Sequence, residues 1–406
     1  MQQSFKYRIY PNKIQSEALN SIFYFCKDLY NGVLQERRSY YHKYKEEIKN
    51  KTVKHLSYND QSKYLPEIKS IFTEETKIIY SQTLQFILKT VDNSFKNFFR
   101  KCKINKLRSK LGLKLLKVGF PRFKSINRFK SICFPQCNFT SNGGVKLLLN
   151  NKIKIYGIPG EVKIKMHRPF QGRCKTVQIK KEGDNYFIVL SCDNISLNIL
   201  PKTNNTTAID LGLTNFITSD AGQKVQHPKP YKTAKEKLAI KQRELALKQK
   251  GSKNRRKAIS ALRKVHTKIV NIRNHWQHEV ANDLIKNNDL IIVEKLNIES
   301  MLEDKGYEVN KSNIQDASWG NFVSLLKYKA EKAGRLIKEV DPRNTSKMCS
   351  CCGNINKELT LRDRIYKCIP CGMQIDRDVN AALNIRRLGT SLAIDNKTSI
   401  SEACGF

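Results

Sequence analysis

Two short cysteine motifs near the carboxyl-terminal end constrain the fold of this chain more than any other feature. Cys349 and Cys352 are separated by two residues, as are Cys368 and Cys371, and a glycine follows each pair. Two C-x2-C pairs joined by a longer spacer are typical of a tetrahedral zinc site. Four thiolates close the coordination shell, so we expect a structural zinc ion with no position for a substrate. Cys351 lies inside the first motif but does not reproduce the spacing of the second.

The charge of the chain predicts a polyanionic partner. The 406 residues include 75 lysines and arginines against 36 acidic residues, which gives a formal net charge of +39. The basic residues occur throughout the chain among aromatic residues, which favours nucleic acid over a membrane surface. No stretch has the apolar character of a signal peptide or a membrane span, so we expect a soluble, cytoplasmic protein that does not bind membranes.

The remaining cysteines indicate a reducing compartment. They are scattered along the chain, unlike the grouped cysteines of a disulfide framework. We expect core or surface thiols at Cys26, Cys102, Cys133, Cys137, Cys174, Cys192 and Cys404.

The first 200 residues divide into a helical part and a strand-rich part. After a strand-like start, Asn12 and Gln15 have the spacing of a helix capping box, and apolar residues then recur at helical spacing. From about residue 119, alternating apolar and polar segments predict antiparallel strands in a small β-barrel or sheet. Here RFKSI occurs twice, from Arg122 and from Arg128. Basic residues beside aromatic ones suit RNA or a single strand, and a β-hairpin with a solvated basic face fits nearly as well.

A polar break at residues 201–207 predicts a domain boundary. After it, the pattern predicts a strand containing Asp210, a basic helical region over residues 233–286 with a turn at Gly251, and a buried strand ending at Glu294. One more helix and strand precede the cysteine motifs, and DRDVNAALNI then begins a helix at Asp378.

Three acidic residues stand at the ends of these elements. A lone carboxylate at a strand end is most often a capped or salt-bridged residue. Asp210, Glu294 and Asp378 together would repel one another unless a cation lay between them. Carboxylate oxygens suit Mg²⁺ or Mn²⁺, and a pair of such ions can activate water and stabilise the leaving oxygen of a phosphodiester. This pattern is typical of RNase H-like nucleases.

Several stretches, taken together and in order, resemble the TnpB (OrfB-type) family of transposon-encoded RNA-guided DNA endonucleases, which is related to the compact type V CRISPR effectors. They are KYRIYPNKIQSEALN, FPRFKS, AIDLGLTNF, KGSKNRRKA, IIVEKLNIESM, the two cysteine motifs and DRDVNAALNI. The resemblance covers nearly the whole chain and is most specific in its second half.

The resemblance implies the role of each candidate site residue. Asp210, Glu294 and Asp378 match the three RuvC-type carboxylates that bind Mg²⁺ (or Mn²⁺) and catalyse cleavage. Asp376 is then either a supporting partner or a charge at a helix start. The four cysteines match a zinc ribbon that helps hold the target strand.

The resemblance also implies a multidomain α+β fold, in which an RNase H-like (RuvC) α/β nuclease domain carries the inserted zinc ribbon. A β-barrel wedge domain, interrupted by a helical recognition lobe, precedes it. The expected boundaries are a first wedge strand at 1–12, the recognition lobe at 13–118, the wedge at 119–200, the nuclease domain at 206–344 and 376–389, the zinc ribbon at 345–375 and a flexible tail at 390–406.

The implied partners are a guide RNA made from the transposon end and a target DNA beside a short motif. We expect base pairing to read the sequence and the protein to hold the heteroduplex by shape and charge. We also expect a monomer in the RNA complex.

Transposases and a non-cleaving regulator are the alternative functions. A single-strand transposase of the tyrosine type needs a His-x-His metal pair, which the seven histidines do not form. A cut-and-paste transposase with three catalytic acids usually has them in the order Asp, Asp, Glu, whereas the order here is Asp, Glu, Asp. His275 and His278, one helical turn apart, are more typical of a helix face than of a metal site. An RNA-guided DNA-binding regulator without cleavage would have lost one of the three acids, and an accessory transposase protein is a further alternative.

Overall fold

The computed structural model describes residues 2–135, 143–148, 150–303, 310–360 and 363–401, with side chains to residue 391. Cys137, Cys404 and the last residues of the expected tail lie outside these ranges. The chain divides into two compact units, Met1–Ser196 and Leu197–Phe406. The division falls a few residues before the polar break at 201–207.

The first unit begins with one strand and six helices. They are β1 (Gln3–Tyr10), α1 (Lys13–Lys43), α2 (Lys45–Lys49), α3 (Tyr58–Ser62), α4 (Leu65–Ile71), α5 (Thr73–Lys77) and α6 (Ser81–Lys110). The predicted capping box of α1 is confirmed, because the Gln15 backbone N–H donates to Asn12 Oδ1 at 2.8 Å and the Asn12 backbone N–H donates to Gln15 Oε1 at 3.0 Å. This pairing fixes the point where the strand gives way to the helix.

Six further strands complete an antiparallel sheet. They are β2 (Ser131–Phe134), β3 (Val145–Leu148), β4 (Lys152–Ile155), β5 (Val162–Lys165), β6 (Arg173–Glu182) and β7 (Asn185–Asp193). The seven strands have the order β2-β6-β7-β1-β5-β4-β3. The first strand of the chain therefore lies in the middle of the sheet, and the helices are an insertion between it and the other strands.

The described strands form one seven-stranded sheet, and the closed β-barrel stays a prediction. The edge strands β2 and β3 have four residues each and share no ladder within the described part of the chain. They approach at one end, since a Cβ on Gly144 would lie 2.4 Å from Phe134 Cδ1. The two edges of the sheet thus come close to each other at this end.

One core joins the sheet to the helices in the first unit. Alternate residues of β1 are buried, as expected for a strand with one face on the core. These residues belong to a single cluster with the apolar faces of α1 and α6, which includes Phe5, Tyr7, Ile9, Leu19, Phe23, Leu84 and Leu88.

The two RFKSI copies have different environments. Phe129 of the second copy is 6% exposed and belongs to the core, whereas Phe123 of the first copy is 41% exposed. Strand β2 begins at Ser131 and pairs with β6, not with the first copy. The hairpin alternative is therefore wrong, and the first copy presents its aromatic ring to solvent.

The second unit is a mixed α/β structure. Its elements are β8 (Thr206–Asp210), β9 (Ile217–Ser219), β10 (Lys224–Val225), α7 (Pro230–Ala246), α8 (Lys253–Asn287), β11 (Leu290–Glu294), α9 (Ile298–Glu303), α10 (Lys311–Ala317), α11 (Trp319–Ala333), β12 (Leu336–Val340), β13 (Ile365–Lys367), β14 (Gln374–Asp376) and α12 (Arg377–Ser401). The predicted turn between two basic helices is confirmed, and Gly251 occupies it with a φ of 86° that favours glycine.

Five strands form the central sheet in the order β10-β9-β8-β11-β12. Strands β8, β11 and β12 are parallel neighbours, and β9 and β10 continue the sheet in antiparallel fashion. Helices cover both faces of β11: Ile291 and Val293 belong to a core with α8, α10 and α11, whereas Ile292 packs with Ile385 of α12. Burial on both faces explains the continuous apolar run of this strand.

Helix α12 is longer than we expected. It runs to Ser401, whereas we expected a flexible tail from residue 390, so residues 390–401 are helical. No helix within the described ranges is both long enough and apolar enough to cross a membrane.

Candidate functional site

Parallel strands bring two of the predicted acids to one edge of the sheet. Ile209 of β8 pairs with Val293 of β11, and the next residues of these strands are Asp210 and Glu294. The carboxyl ends of parallel neighbours meet at the same edge, so the two carboxylates are neighbours. Helix α12 packs across β8, β9, β11 and β12 and carries Asp378 in its first turn.

Electrostatic interactions link all three acids. Burial raises the pKa of Asp210 well above its usual range, and the carboxylates of Glu294 and Asp378 raise it further. Glu294 is 7% exposed, and burial raises its pKa as well, against the effect of the Thr345 hydroxyl. The structure therefore places the three predicted acids in one interacting group, in which the like charges of Glu294 and Asp378 oppose the ionisation of Asp210.

Arg377 places positive charge beside the acids. Its Nη2 lies 3.1 Å from Asp378 Oδ1, and its charge lowers the pKa of Asp210 in opposition to burial. Asp376 caps the helix: its Oδ1 accepts from the backbone N–H groups of Asp378 at 3.0 Å and Val379 at 3.2 Å. Its other oxygen lies 2.6 Å from Lys224 Nζ. These contacts are compatible with both interpretations of Asp376, because it is a charge at the helix start and it also holds the turn that carries Asp378.

The four cysteines of the two motifs form a compact cluster. Their sulfur atoms all lie within 4.8 Å of one another, with 3.7 Å between Cys349 and Cys371 and 3.5 Å between Cys352 and Cys368. Ligand sulfurs about 2.3 Å from a tetrahedral zinc ion are about 3.8 Å apart, so the cluster fits such an ion. Cys351 is exposed and is not part of the cluster. Across the described ranges, the oxygens of the three acids do not form a group as tight as this one.

Both cysteine turns have the same backbone pattern. The N–H of Gly353 donates to the carbonyl of Cys349 at 3.0 Å, and the N–H of Gly372 donates to the carbonyl of Cys368 at 2.9 Å. Both glycines have φ of 70° or more, in the left-handed region. Despite burial, the backbone N–H groups of Cys352 and Cys351 lower the pKa of the Cys349 thiol to about 7. The first turn thus favours the thiolate form of Cys349, which is the form that binds metals.

Two buried asparagines of α12 fasten the first cysteine turn to the helix. Asn380 Nδ2 donates to the Met348 carbonyl at 2.7 Å, and Asn380 Oδ1 accepts from the Ser350 N–H at 2.9 Å. Asn384, one turn further, donates to the carbonyls of Met348 at 2.6 Å and Thr345 at 2.9 Å. The cysteine cluster and the helix that carries Asp378 are therefore one hydrogen-bonded assembly.

Thr345 connects this assembly to the strand acids. Its hydroxyl donates to the buried carboxylate of Glu294, and its carbonyl accepts from Asn384. Sequence reasoning missed the roles of Thr345, Arg377, Asn380 and Asn384. The signal that was present is DRDVNAALN itself, in which two asparagines spaced by four residues interrupt an otherwise apolar helix face.

His275 and His278 are both exposed on α8. His275 Nε2 lies 3.4 Å from Glu279 on the same exposed face of α8. Within the described residues, neither His275 nor His278 belongs to a metal-binding group.

Comparisons with known proteins agree with the order of these features. A family model described as "Probable transposase" (OrfB_IS605) matches residues 189–304, a "Cas12f1-like, TNB domain" matches 319–385 and a "Helix-turn-helix domain" of OrfB_IS605 matches 1–46. A Streptomyces pristinaespiralis protein named "Putative RNA-guided DNA endonuclease" is 30% identical over 96% of this chain and 90% of its own length. Its Escherichia coli counterpart InsQ is 26% identical over 95% of this chain and 92% of its own length. A solved Cas12f1–sgRNA–target DNA complex contains a chain that is 17% identical, with a TM-score of 0.34 over 95% of this chain and 98% of that one.

The first of these relatives is 30% identical over nearly the whole length of both chains. The chain therefore belongs to the OrfB (TnpB) family.

Proposed function

We propose that this protein is an RNA-guided DNA endonuclease that binds a guide RNA and cleaves target DNA by hydrolysing a phosphodiester bond. The observation that carries the proposal is the convergence of Asp210, Glu294 and Asp378 in one interacting group. The net charge of +39 and the names of full-length relatives support nucleic acid as the partner.

The donor set fits hard divalent cations. Glu294 and Asp378 raise the pKa of the buried Asp210 beyond the effect of burial, and a cation that prefers oxygen ligands, as Mg²⁺ and Mn²⁺ do, would relieve this repulsion. Asp210, Glu294 and Asp378 would hold the ions, which supply an activated water and charge for the leaving oxygen of the phosphodiester.

The protein's own residues position this centre. Asp210 and Glu294 are fixed by parallel strands, and Thr345 orients the Glu294 carboxylate through its hydroxyl. Asp376 holds the first turn of α12, which carries Asp378. Arg377 lies beside Asp378 and offsets negative charge at the site.

The sheet order supports an RNase H-like (RuvC) domain in the second unit. Three antiparallel strands followed by two parallel ones, with helices on both faces, match that architecture. We assign zinc to Cys349, Cys352, Cys368 and Cys371, in a ribbon that supports the target strand. The first unit, with its helices inserted after the first strand of the sheet, corresponds to the wedge and recognition lobe.

Purification with its flanking DNA tests the proposal. The protein is co-expressed with the sequence that follows its gene, the bound RNA is sequenced, and a plasmid carrying the guided sequence beside a randomised motif is added with Mg²⁺. We expect cleavage beside one motif, and none with EDTA. Stable binding of the guided DNA without a cut would support the regulator alternative instead.

A further inference from the structure

A cavity of about 530 Å³ lies in the helical part of the first unit, beside α1, α2 and α6. The size is typical of small-molecule sites. Its apolar lining is mainly aromatic, and includes Tyr40, Tyr41, Phe95, Phe98, Phe99 and Phe120. Its charged and titratable lining residues are Arg37, Arg38, His42, Lys49 and His55, and no carboxylate lines it among the described residues.

Arg37, which lines the cavity, is held in place by its contacts. Arg37 is 7% exposed, and its Nη2 lies 3.0 Å from Asp92 Oδ1 while its Nε donates to Gln61 Oε1 at 2.6 Å. These contacts join α1, α3 and α6. The Arg37 guanidinium also lies 5.3 Å from the centre of the Phe95 ring. A buried charge with its hydrogen bonds made has little freedom to move, so the cavity is built before any ligand arrives.

Exposed rings surround the mouth of the cavity. Tyr41 and Phe99 are each 38% exposed, and Phe120 is 45% exposed. The His55 ring lies 5.1 Å from that of Phe99, and it is within 13° of parallel to the Tyr41 ring, at 6.0 Å. Flat faces arranged in this way favour a flat, partly apolar ligand that stacks on them.

Arg38 places positive charge beside these rings. Its guanidinium lies 5.9 Å from the Phe120 ring and 5.1 Å from the Phe123 ring, the exposed ring of the first RFKSI copy. Within the described part of the chain, Arg38 forms no ion pair. A ligand that combines a flat ring with an attached anion would satisfy both features, and a nucleotide has that chemistry.

We propose that this cavity captures one unstacked nucleotide, with the base stacked among Tyr41, His55 and Phe99 and its phosphate near Arg38. The proposal rests on the proposed function only for the source of the nucleotide, which is a strand of the guide RNA or of its DNA target. A base held here is removed from its neighbours' stack, so the cavity fixes the register of the strand on the first unit.

The first test measures whether a base is recognised. The purified full-length chain is titrated with a short, labelled abasic strand and with the same strand carrying one central base. Base stacking on aromatic side chains predicts about 5- to 100-fold tighter binding of the one-base strand. Phe99→Ala and His55→Ala should reduce this preference while leaving affinity for the abasic strand unchanged, because both side chains are exposed and carry the stacking surface.

Matched variants complete the titration. Tyr24→Ala removes a tyrosine of α1 that is 51% exposed and lies outside the cavity, so it should keep the preference. Arg38→Gln should weaken both strands alike and reduce the salt dependence of binding by about one ion. The proposal is overturned if Phe99→Ala and His55→Ala both retain the preference, or if the wild-type chain has none. Melting curves verify that each variant is folded.

Photocrosslinking locates the base and identifies its source. The assembled complex is prepared with 4-thiouracil in the guide RNA or with 4-thiothymine in the target strand, and crosslinked peptides are identified by mass spectrometry. We expect crosslinks to Tyr41, His55 or Phe99 from one of the two strands, and crosslinks confined to other regions would contradict the proposal. None of these readouts requires cleavage, so a failed cavity and a failed nuclease assignment are distinguishable.

Discussion

Glu294 is the most enclosed of the three acids. It is 7% exposed, and the Thr345 hydroxyl lowers its pKa against the larger effect of burial. A buried carboxylate that loses its hydrogen-bond donor is left without a partner for its charge, which costs about 1–3 kcal/mol. Thr345 is therefore a positioning residue, and its loss should act on the metal centre through Glu294.

Substitution Thr345→Val tests this role. The change keeps the shape of the side chain and removes the donor to Glu294, so we expect metal affinity to fall by about 10- to 100-fold, as for other residues that orient metal ligands. The measurement is the Mg²⁺ concentration for half-maximal cleavage. Thr345→Ser retains the hydroxyl, so its Mg²⁺ requirement should stay close to that of the wild type. Equal Mg²⁺ requirements of the Thr345→Val and Thr345→Ser variants would contradict the positioning role of Thr345.

Helix α12 connects the cysteine cluster to the acids. Its first turn carries Asp378, its buried face holds the first cysteine turn through Asn380 and Asn384, and its later part packs on β11. The helix thereby fixes the distance between the cluster and the strand edge.

Asn380→Ala should weaken this connection. The change leaves the Met348 carbonyl and the Ser350 N–H without their buried partner, at a cost of about 1–3 kcal/mol for each group left unsatisfied. We expect a lower melting temperature and faster loss of zinc to a chelator. Asn287→Ala, at the exposed end of α8, should change stability by about 0.5 kcal/mol or less.

Gly389 allows α12 to approach the sheet closely. A Cβ at this position would lie 2.4 Å from Ile292 Cγ2 and 2.6 Å from its Cδ1, and Ile292 is fully buried. Although alanine favours helices, overpacking should dominate, so Gly389→Ala should destabilise the protein by about 1–3 kcal/mol in thermal or urea unfolding. Gly320→Ala in α11 meets no atom within 4 Å and should be neutral or stabilising. Equal changes in the free energy of unfolding for the two variants would contradict this interpretation of the packing.

The sequence predicted the elements better than their connections. Periodicity, the capping box and the apolar run before Glu294 were sufficient for the helices and strands, because these signals are local. The close approach of β2 and β3 at Phe134 and Gly144 is a tertiary contact, which no local pattern encodes. The function of Asn384 is likewise invisible until the fold brings it to Thr345.

The three acids were predicted from the sequence by combining their positions at the ends of elements with the resemblance to the TnpB family. The sequence does not reveal which residues hold these acids in position. Hydrogen bonds from Thr345 to Glu294 and from the first turn of α12 to Asp376 join residues through tertiary packing.

At the scale of the whole molecule, each unit has its own core. The large cluster of the first unit contains residues from Phe5 to Ile195, and the clusters of the second unit contain residues from Ala208 onward. Loss of the cysteine cluster should therefore affect the second unit and spare the first.

Cys371→Ser tests this division. We expect loss of bound zinc and reduced guided cleavage, because the hairpin of β13 and β14 loses its metal link, while the first unit keeps its structure. Cys351→Ser is the matched control, since Cys351 is exposed and lies outside the cluster. Metal content, cleavage and hydrogen exchange of residues 2–135 are measured. Unchanged zinc content and activity in Cys371→Ser would refute the assignment.

Guided cleavage by Asp210→Ala tests the central claim most directly. The RNA-bound variant is compared with wild type and with Asp283→Asn, which changes an exposed carboxylate on α8. Because metal ions and their ligands stabilise the transition state by several kcal/mol, we predict that Asp210→Ala binds RNA and target but cleaves about 1,000-fold more slowly or not at all. Asp283→Asn should cleave normally. Cleavage by Asp210→Ala at the wild-type rate would contradict the assignment of this site.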